Sequence, residues 1–332
     1  MKISILECPS WKTIIRIDPF IKFLNKNGHK IFYTENIVDC LDSDLILIEY
    51  YYYDFTKIKN ELMSFKGKVV FYSCDDISNY STHFLDEDLI SKIEAWITFE
   101  IHDQNENNIR LKDKLILFPR FNWNKIPDYC DSNQKENKIF LWVSSTGYFN
   151  FENKNLRVEL FKKLIQDDYL NQFIVGGIAQ SDIIDLGKNQ NHKYNSTFQK
   201  YVKPYVGYDQ YIEEMRKYRI CLCPPGNSKW GPRHIDAMSS KSIIISVDPR
   251  NDPGFWDKQE EVYKNIVIVK DDLSDIIEIC KEVLNNTLKY QDKIDDSYVL
   301  YKEYFKLSKH GFYNNKINSD LLLQFKKRNI DL

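Results

Sequence analysis

Short apolar runs alternate with amphipathic segments along almost the whole of this chain, and that alternation restricts its fold more than any other feature. Lys2–Glu7, Lys30–Thr34, Asp44–Glu49 and Lys68–Tyr72 are strand-sized and rich in Ile, Val, Phe and Tyr, and Ala95–Glu100 and Lys114–Pro119 continue the series. The stretches between them have helical spacing. A strand that returns after each helix pairs parallel with an earlier one, so the pattern predicts an α/β fold with helices on the faces of a parallel sheet. The first helix opens on Asp18 and Pro19 and closes near Gly28, residue types that suit a helix start and a helix end.

Between Asn122 and Asn137 the composition turns polar, with Pro127 and the run Asp131 to Asn137. A linker over residues 126–137 is expected there. The pattern then restarts with strands Lys138–Ser144, Gln172–Gly176, Arg219–Cys223, Ser242–Val247 and Asn265–Val269. Helices are expected at Leu156–Gln166, Tyr208–Tyr218 and Pro232–Ser240, and another from near Leu273. The chain has 332 residues, enough for two cores. The reading is an N-terminal Rossmann-like domain at 1–125 and a C-terminal one at 138–332, the two sheets facing an interdomain cleft. The aromatic-rich stretch Ile294 to Phe312 reads as helical and is a candidate to cross back onto the first domain. Ligands in open sheets gather at the carboxyl ends of strands.

Several function classes lose their usual signatures. Lys+Arg total 46 and Asp+Glu 48, a net charge of −2, so no global field draws nucleic acid or an anionic membrane. No apolar run approaches membrane-spanning length, and the N-terminus reads as a strand without a signal-peptide cleavage site, so a cytoplasmic protein is expected. The seven cysteines are odd in number and scattered, as suits reduced thiols. No glycine-rich dinucleotide fingerprint follows the first strand, where Ile5 to Ser10 stand, and no P-loop, H-E-x-x-H or G-x-S-x-G occurs. Asp42-Ser43-Asp44 fits a D-x-D metal motif but precedes its strand, and reads as a turn. No bound metal and no cofactor are expected.

The segment from Tyr208 to Asp248 carries the chemistry. A helix leads into the strand ending at Cys223, then into Pro224-Pro225-Gly226-Asn227-Ser228-Lys229-Trp230-Gly231, then into a helix whose first residue is Pro232. Unpaired amides and the macrodipole at such a helix start attract phosphate. Arg233 in the first turn can donate two parallel charge-assisted hydrogen bonds to phosphate oxygens. Ser228 can donate to phosphate, and Gly226 lets the backbone approach it. Asp236, one turn on, can accept from ribose hydroxyls or orient Arg233; an Arg–Asp pair at this spacing is otherwise a surface ion pair.

These residues resemble the exostosin-like glycosyltransferases. The resemblance rests on Ile220-Cys221-Leu222-Cys223-Pro224-Pro225-Gly226-Asn227, then Arg233, Ile235-Asp236-Ala237 and Ile243-Ile244-Ile245, with Asn155-Leu156-Arg157-Val158-Glu159-Leu160 upstream. It spans Arg157 to Asp248. It implies the GT-B architecture of two facing Rossmann-like domains and a nucleotide diphosphate-sugar co-substrate in the C-terminal one. Arg157 and Arg233 would contact the donor phosphates, without a tightly bound metal. The resemblance does not fix the acceptor, which is read as a saccharide or glycan.

An inverting enzyme also needs a general base, supplied from the N-terminal sheet. Candidates at strand ends are Glu7, Glu49, Asp75, Asp76, Glu100 and His102, with His83 in a loop. Asp75 and Asp76, after the run Val69 to Cys74, are the most pointed pair; on an extended chain only one of them can face the cleft. They otherwise cap or turn the chain into Ile77. Tyr50 to Tyr53 line an acceptor groove or pack between domains. The expected activity is transfer of a sugar from a nucleotide diphosphate-sugar to a saccharide. The alternatives are a nucleotide-sugar epimerase or a non-catalytic glycan-binding subunit on the same scaffold.

Overall fold

The computed structural model describes residues 1–7, 17–49, 57–72, 87–98, 111–118, 126, 135–144, 150–151, 154–179, 201–204, 206–225, 229–250, 259–309 and 311–332. The chain falls into two compact units, one formed by Met1–Lys125 with Lys306–Leu332 and the other by Ile126–Phe305.

The first unit opens with β1 (Lys2–Leu6), α1 (Asp18–Lys26), β2 (Lys30–Thr34) and β3 (Leu45–Glu49). It continues through α2 (Lys59–Ser64), β4 (Lys68–Tyr72), α3 (Glu87–Lys92), β5 (Ile93–Thr98) and β6 (Leu115–Leu117). Every strand pairing is parallel, in the order β2-β1-β3-β4-β5-β6. β3 is buried along its whole length, as a near-continuous apolar run in a sheet covered on both faces must be. β2 lies at the edge, where Phe32 and Tyr33 are 45% and 49% exposed. α1 buries Phe20, Ile21 and Leu24 and ends where Gly28 adopts φ +92, a left-handed turn natural to glycine. Asp42 and Asp44 are taken up locally: Asp42 pairs with the Lys2 ammonium, and Asp44 accepts the Lys2 backbone N–H at 2.6 Å. The D-x-D is a turn, as its place before the strand implies.

The second unit starts with β7 (Glu136–Ser144), the short hairpin β8 (Asn150–Phe151) and β9 (Lys154–Asn155), and α4 (Leu156–Gln166). β10 (Ile174–Ala179), β11 (Val202–Lys203), α5 (Tyr208–Arg216), β12 (Tyr218–Cys223), α6 (Pro232–Ser239) and β13 (Ile243–Val247) follow. α7 (Gln259–Lys264), β14 (Ile266–Val269), α8 (Ile276–Asn285) and α9 (Gln291–Leu300) complete it, with a π-helical turn at Tyr301–Phe305. The sheet is again wholly parallel, in the order β11-β10-β7-β12-β13-β14. Ile139, Leu141, Ile220, Leu222, Ile243 and Ile245 form one face of it, packed on Leu160, Phe161 and Leu164 of α4 and Ile276, Cys280 and Val283 of α8.

Two expectations need correction. β7 begins at Glu136, inside the polar stretch assigned to the linker, and Lys135 before it is already anchored. Its ammonium donates to the Tyr218 carbonyl at 3.0 Å and to Ser242 Oγ at 3.1 Å, and burial lowers its pKa to about 7. Polar composition misleads here because a lysine stem buries as well as an apolar side chain when its head finds acceptors. The second correction concerns the continuous helix expected to reach Phe312. Helical geometry ends at Phe305, Gly311 takes φ +77, and a separate helix α10 (Asn315–Lys326) is capped by Asn314, whose Oδ1 accepts the Ile317 N–H at 2.9 Å. This C-terminal stretch packs within the first unit: Phe325 stacks on Phe20 at 5.6 Å, and Tyr313 meets Phe118 edge-on at 5.7 Å.

One backbone position in the second sheet tolerates only glycine. Gly176 sits at φ +114, and a Cβ built there would lie 2.3 Å from the Leu141 carbonyl oxygen. Gly176→Ala should therefore cost about 1–3 kcal/mol from the backbone strain alone and more from the clash. A fall of several degrees in the thermal midpoint is the expected result; an unchanged midpoint would contradict it.

Candidate functional site

In a doubly wound sheet the ligand crevice opens where the strand order reverses, outside the carboxyl ends of the two strands concerned. In the second sheet that point lies between β7 and β12, because β10 and β11 extend to one side and β13 and β14 to the other. Topology alone thus directs attention to the start of α4, which follows β7, and to the loop after β12.

Two arginines converge there. Arg157, second residue of α4, donates from Nε to the carbonyl of Pro225, just beyond β12, at 2.9 Å. Burial lowers its pKa to about 9, with the neighbouring charge of Arg233 adding to the effect and Tyr211 opposing it. It stays charged at neutral pH. For Arg233, burial opposes the charge, but Tyr211, Cys223 and Cys221 outweigh it and the net shift is upward. Among the described residues, Arg233 Nη1 is buried without a hydrogen-bond partner. An unspent buried guanidinium nitrogen beside a second guanidinium costs free energy unless an anion meets both. The two guanidinium groups concentrate positive charge at the switch point.

Arg233 is held in place by a relay that starts at the helix cap. Gly231, extended at φ −166 and ψ 174, precedes Pro232, and its N–H donates to Nδ1 of His234 at 3.2 Å. The opposite ring nitrogen, which then carries the proton, donates to Ser246 Oγ at 2.8 Å, and Ser246 donates to the Cys223 carbonyl at 3.1 Å. Trp230 stacks on the imidazole with ring centres 4.6 Å apart. His234 does what a glutamate does at the third position of a capping box. Burial pushes its pKa down to about 3, so it is a neutral fixture.

Asp236 is only 4% exposed, so it does not form the surface ion pair that its spacing from Arg233 allows. Its Oδ1 accepts the Tyr208 hydroxyl at 2.5 Å. Tyr211 packs on Phe140 at 5.6 Å and lies in the field of both Arg233 and Asp236. Arg157, Arg233 and Asp236, singled out from sequence, thus come to the end of the sheet that topology selects. Gly226 and Ser228 lie outside the described residues, as do Asp75, Asp76, His83, Glu100, His102 and Tyr50 to Tyr53. Glu7 and Glu49 are described: they follow the paired residues Leu6 and Ile48 on adjacent strands, at the point where the order of the first sheet reverses. Tyr208, Tyr211, His234 and Ser246 were not anticipated. The tyrosines' spacing of three at a helix start and the Gly-Pro-x-His order at a helix cap were the available signals. Cys221 and Cys223 are buried free thiols with Sγ atoms 3.9 Å apart. Among the described residues no group of three or more His, Cys, Asp or Glu could hold a metal ion, and no helix is long and apolar enough to cross a membrane.

The sequence matches no protein-family model and no curated protein. The fold does match solved structures. HepE from Anabaena, in complex with UDP and glucose, aligns at a TM-score of 0.61 and 12% identity over 98% of this chain and 99% of its own. WaaG, a glycosyltransferase involved in lipopolysaccharide biosynthesis, aligns at 0.53 and 9% over 91% and 95%. TarM aligns at 0.51 and 12% over 86% of this chain, which spans only 54% of TarM. At these identities the likeness is one of fold: two Rossmann-like α/β units in one chain, the GT-B class.

The relay sets a pH dependence. His234 has a folded pKa of about 3 against 6.5 for a free histidine, so below pH 6.5 the unfolded chain takes up a proton that the folded one refuses. Stability contributed by this residue is full above pH 6.5 and falls as the pH drops, at up to about 1.4 kcal/mol per pH unit. Thermal midpoints measured from pH 7 to pH 4.5 should fall less steeply for His234→Gln than for the parent chain. Parallel slopes would mean that the imidazole is not held neutral.

Proposed function

We propose that the chain is a glycosyltransferase that moves a sugar from a nucleotide diphosphate-sugar to a saccharide or glycan acceptor. The observation that carries this reading is the convergence of Arg157 and Arg233, with Arg233 Nη1 buried and unspent, at the switch point of the second sheet. The same fold in HepE was solved with UDP and glucose. The finer assignment, by the motifs between Arg157 and Asp248, is to the exostosin-like enzymes. A cytoplasmic location is part of the proposal.

In the reaction the acceptor oxygen bonds to the anomeric carbon as the bond from that carbon to the diphosphate breaks. Negative charge grows on the departing diphosphate. Arg157 and Arg233, with the positive end of the α6 dipole, meet it where it develops, which is where electrostatic stabilisation counts. Asp236, whose Oδ1 accepts the Tyr208 hydroxyl, is the candidate to accept from a ribose hydroxyl, and Gly226 and Ser228 are further candidates for phosphate contact. For an inverting course the acceptor proton goes to a carboxylate. Asp75 or Asp76 is the first choice, and Glu7 with Glu49, adjacent at the switch point of the first sheet, is the pair to test beside them. No metal is required, since two guanidinium groups balance the diphosphate and the D-x-D is occupied by Lys2.

Arg233→Ala should weaken UDP binding tenfold or more, a charged hydrogen bond being worth roughly 1.5–3 kcal/mol, and Arg157→Ala should act in the same direction. Calorimetric titration reads both, and unchanged affinity in both would remove the site. Asp75→Asn and Asp76→Asn, measured for turnover and UDP affinity in parallel, should separate chemistry from binding. Loss of a base lowers turnover roughly a hundredfold or more. Near-normal turnover in both would shift the assignment to Glu7 or Glu49, or to a retaining course. Turnover should also survive chelation of divalent metal; loss restored by manganese or magnesium would contradict the metal-free reading.

A further inference from the structure

A second cavity, away from the arginines, lies on the α5 face of the second sheet. Its volume is 360 Å³, within the range of small-molecule sites. It is lined by Trp142 of β7, Gly176 of β10, Lys203 of β11, Gln210 and Glu214 of α5, and Tyr218 at the start of β12. Gln210 and Glu214 are one helical turn apart and share a face. Tyr211, the next residue round the helix, packs on Phe140 and belongs to the arginine site.

The lining has a specific chemistry. Trp142 is half-buried, and Gly176 adds bare backbone to the lining. The indole N–H of Trp142, the Gln210 amide and the Lys203 ammonium have no hydrogen-bond partners among the described residues. Each Glu214 oxygen accepts one hydrogen bond, from Tyr218 at 2.7 Å and from Lys217 at 2.5 Å, and keeps capacity for another. The charges offset: Lys203 and Glu214 bring opposite signs to the lining. A strongly anionic ligand is disfavoured by that carboxylate, and a purely apolar one by the three unspent polar groups. A neutral ligand with one apolar face and a rim of hydroxyls meets all of these groups. We propose that this cavity is a carbohydrate site, distinct from the arginine site, in which Trp142 stacks on a sugar ring and Gln210, Lys203 and Glu214 pair with its hydroxyls.

Saturation-transfer NMR on the full chain tests this, with glucose, N-acetylglucosamine, maltose and cellobiose at millimolar concentration, each with and without saturating UDP. The expected result is transfer to at least one sugar, unchanged by UDP, and reduced roughly fivefold or more by Gln210→Trp, whose indole fills the cavity. Gln210→Ala, a substitution at an exposed helix position that favours folding, should weaken the signal in the same direction. Thermal midpoints verify that both variants are folded. Transfer abolished by UDP would place the sugar in the arginine site and overturn the proposal, as would a signal indifferent to both variants or absent for all four sugars. Failure of UDP itself to bind, with the sugar signal intact, would count against the glycosyltransferase reading alone.

Discussion

The neutral imidazole of His234 is the interaction on which the anion site depends. It joins three elements: the cap of α6 through Gly231, strand β13 through Ser246 and the end of β12 through the Cys223 carbonyl. A charged imidazole would donate from both nitrogens and lose the bond from the Gly231 amide, so the fold enforces neutrality by burial. With the cap fixed, Arg233 sits in the first turn of its helix at a defined height above the sheet. Arg157 reaches the same place from the other side of the switch point by holding the Pro225 carbonyl. The two cations belong to different crossover units and meet where the Pro225 carbonyl and the Gly231 cap are each held.

The parallel sheets make this possible. A strand such as β13, buried along its length and apolar but for one residue, places that residue, Ser246, where an imidazole can find it. All carboxyl ends lie along one edge, so residues distant in sequence, Arg157 and Arg233 among them, arrive together without any long-range specificity in the loops.

Much of this was legible in the residues. Continuous apolar runs located the longer strands, because burial leaves a composition that needs no partner to be recognised, and missed the two-residue strands β8, β9 and β11. Pro232 and Arg233 could be placed at a helix start because proline is distinctive there. The relay was not legible: nothing in the sequence couples His234 to Ser246, twelve residues away, until β13 is laid against β12. Nor was the depth of Asp236, since helical spacing reports a face and not what covers it. Polarity failed at Lys135, whose charged head finds its two acceptors only after the sheet is assembled.

The edge strand β2 has a consequence for association between molecules. Among the described residues no strand pairs with the outer edge of β2, and such an edge offers N–H and carbonyl groups to an extended peptide; β2 also exposes Phe32 and Tyr33. The strand is only five residues long, it opens with Lys30, and the ammonium of Lys2 sits 5.0 Å from the centre of the Phe32 ring. A second chain pairing in register would have to bring its own Lys30 close to this one and strip water from the ammonium over Phe32. Two lysines near the amino ends of the first two strands thus act as gatekeepers against edge-to-edge growth, a task separate from anything at the carboxyl ends.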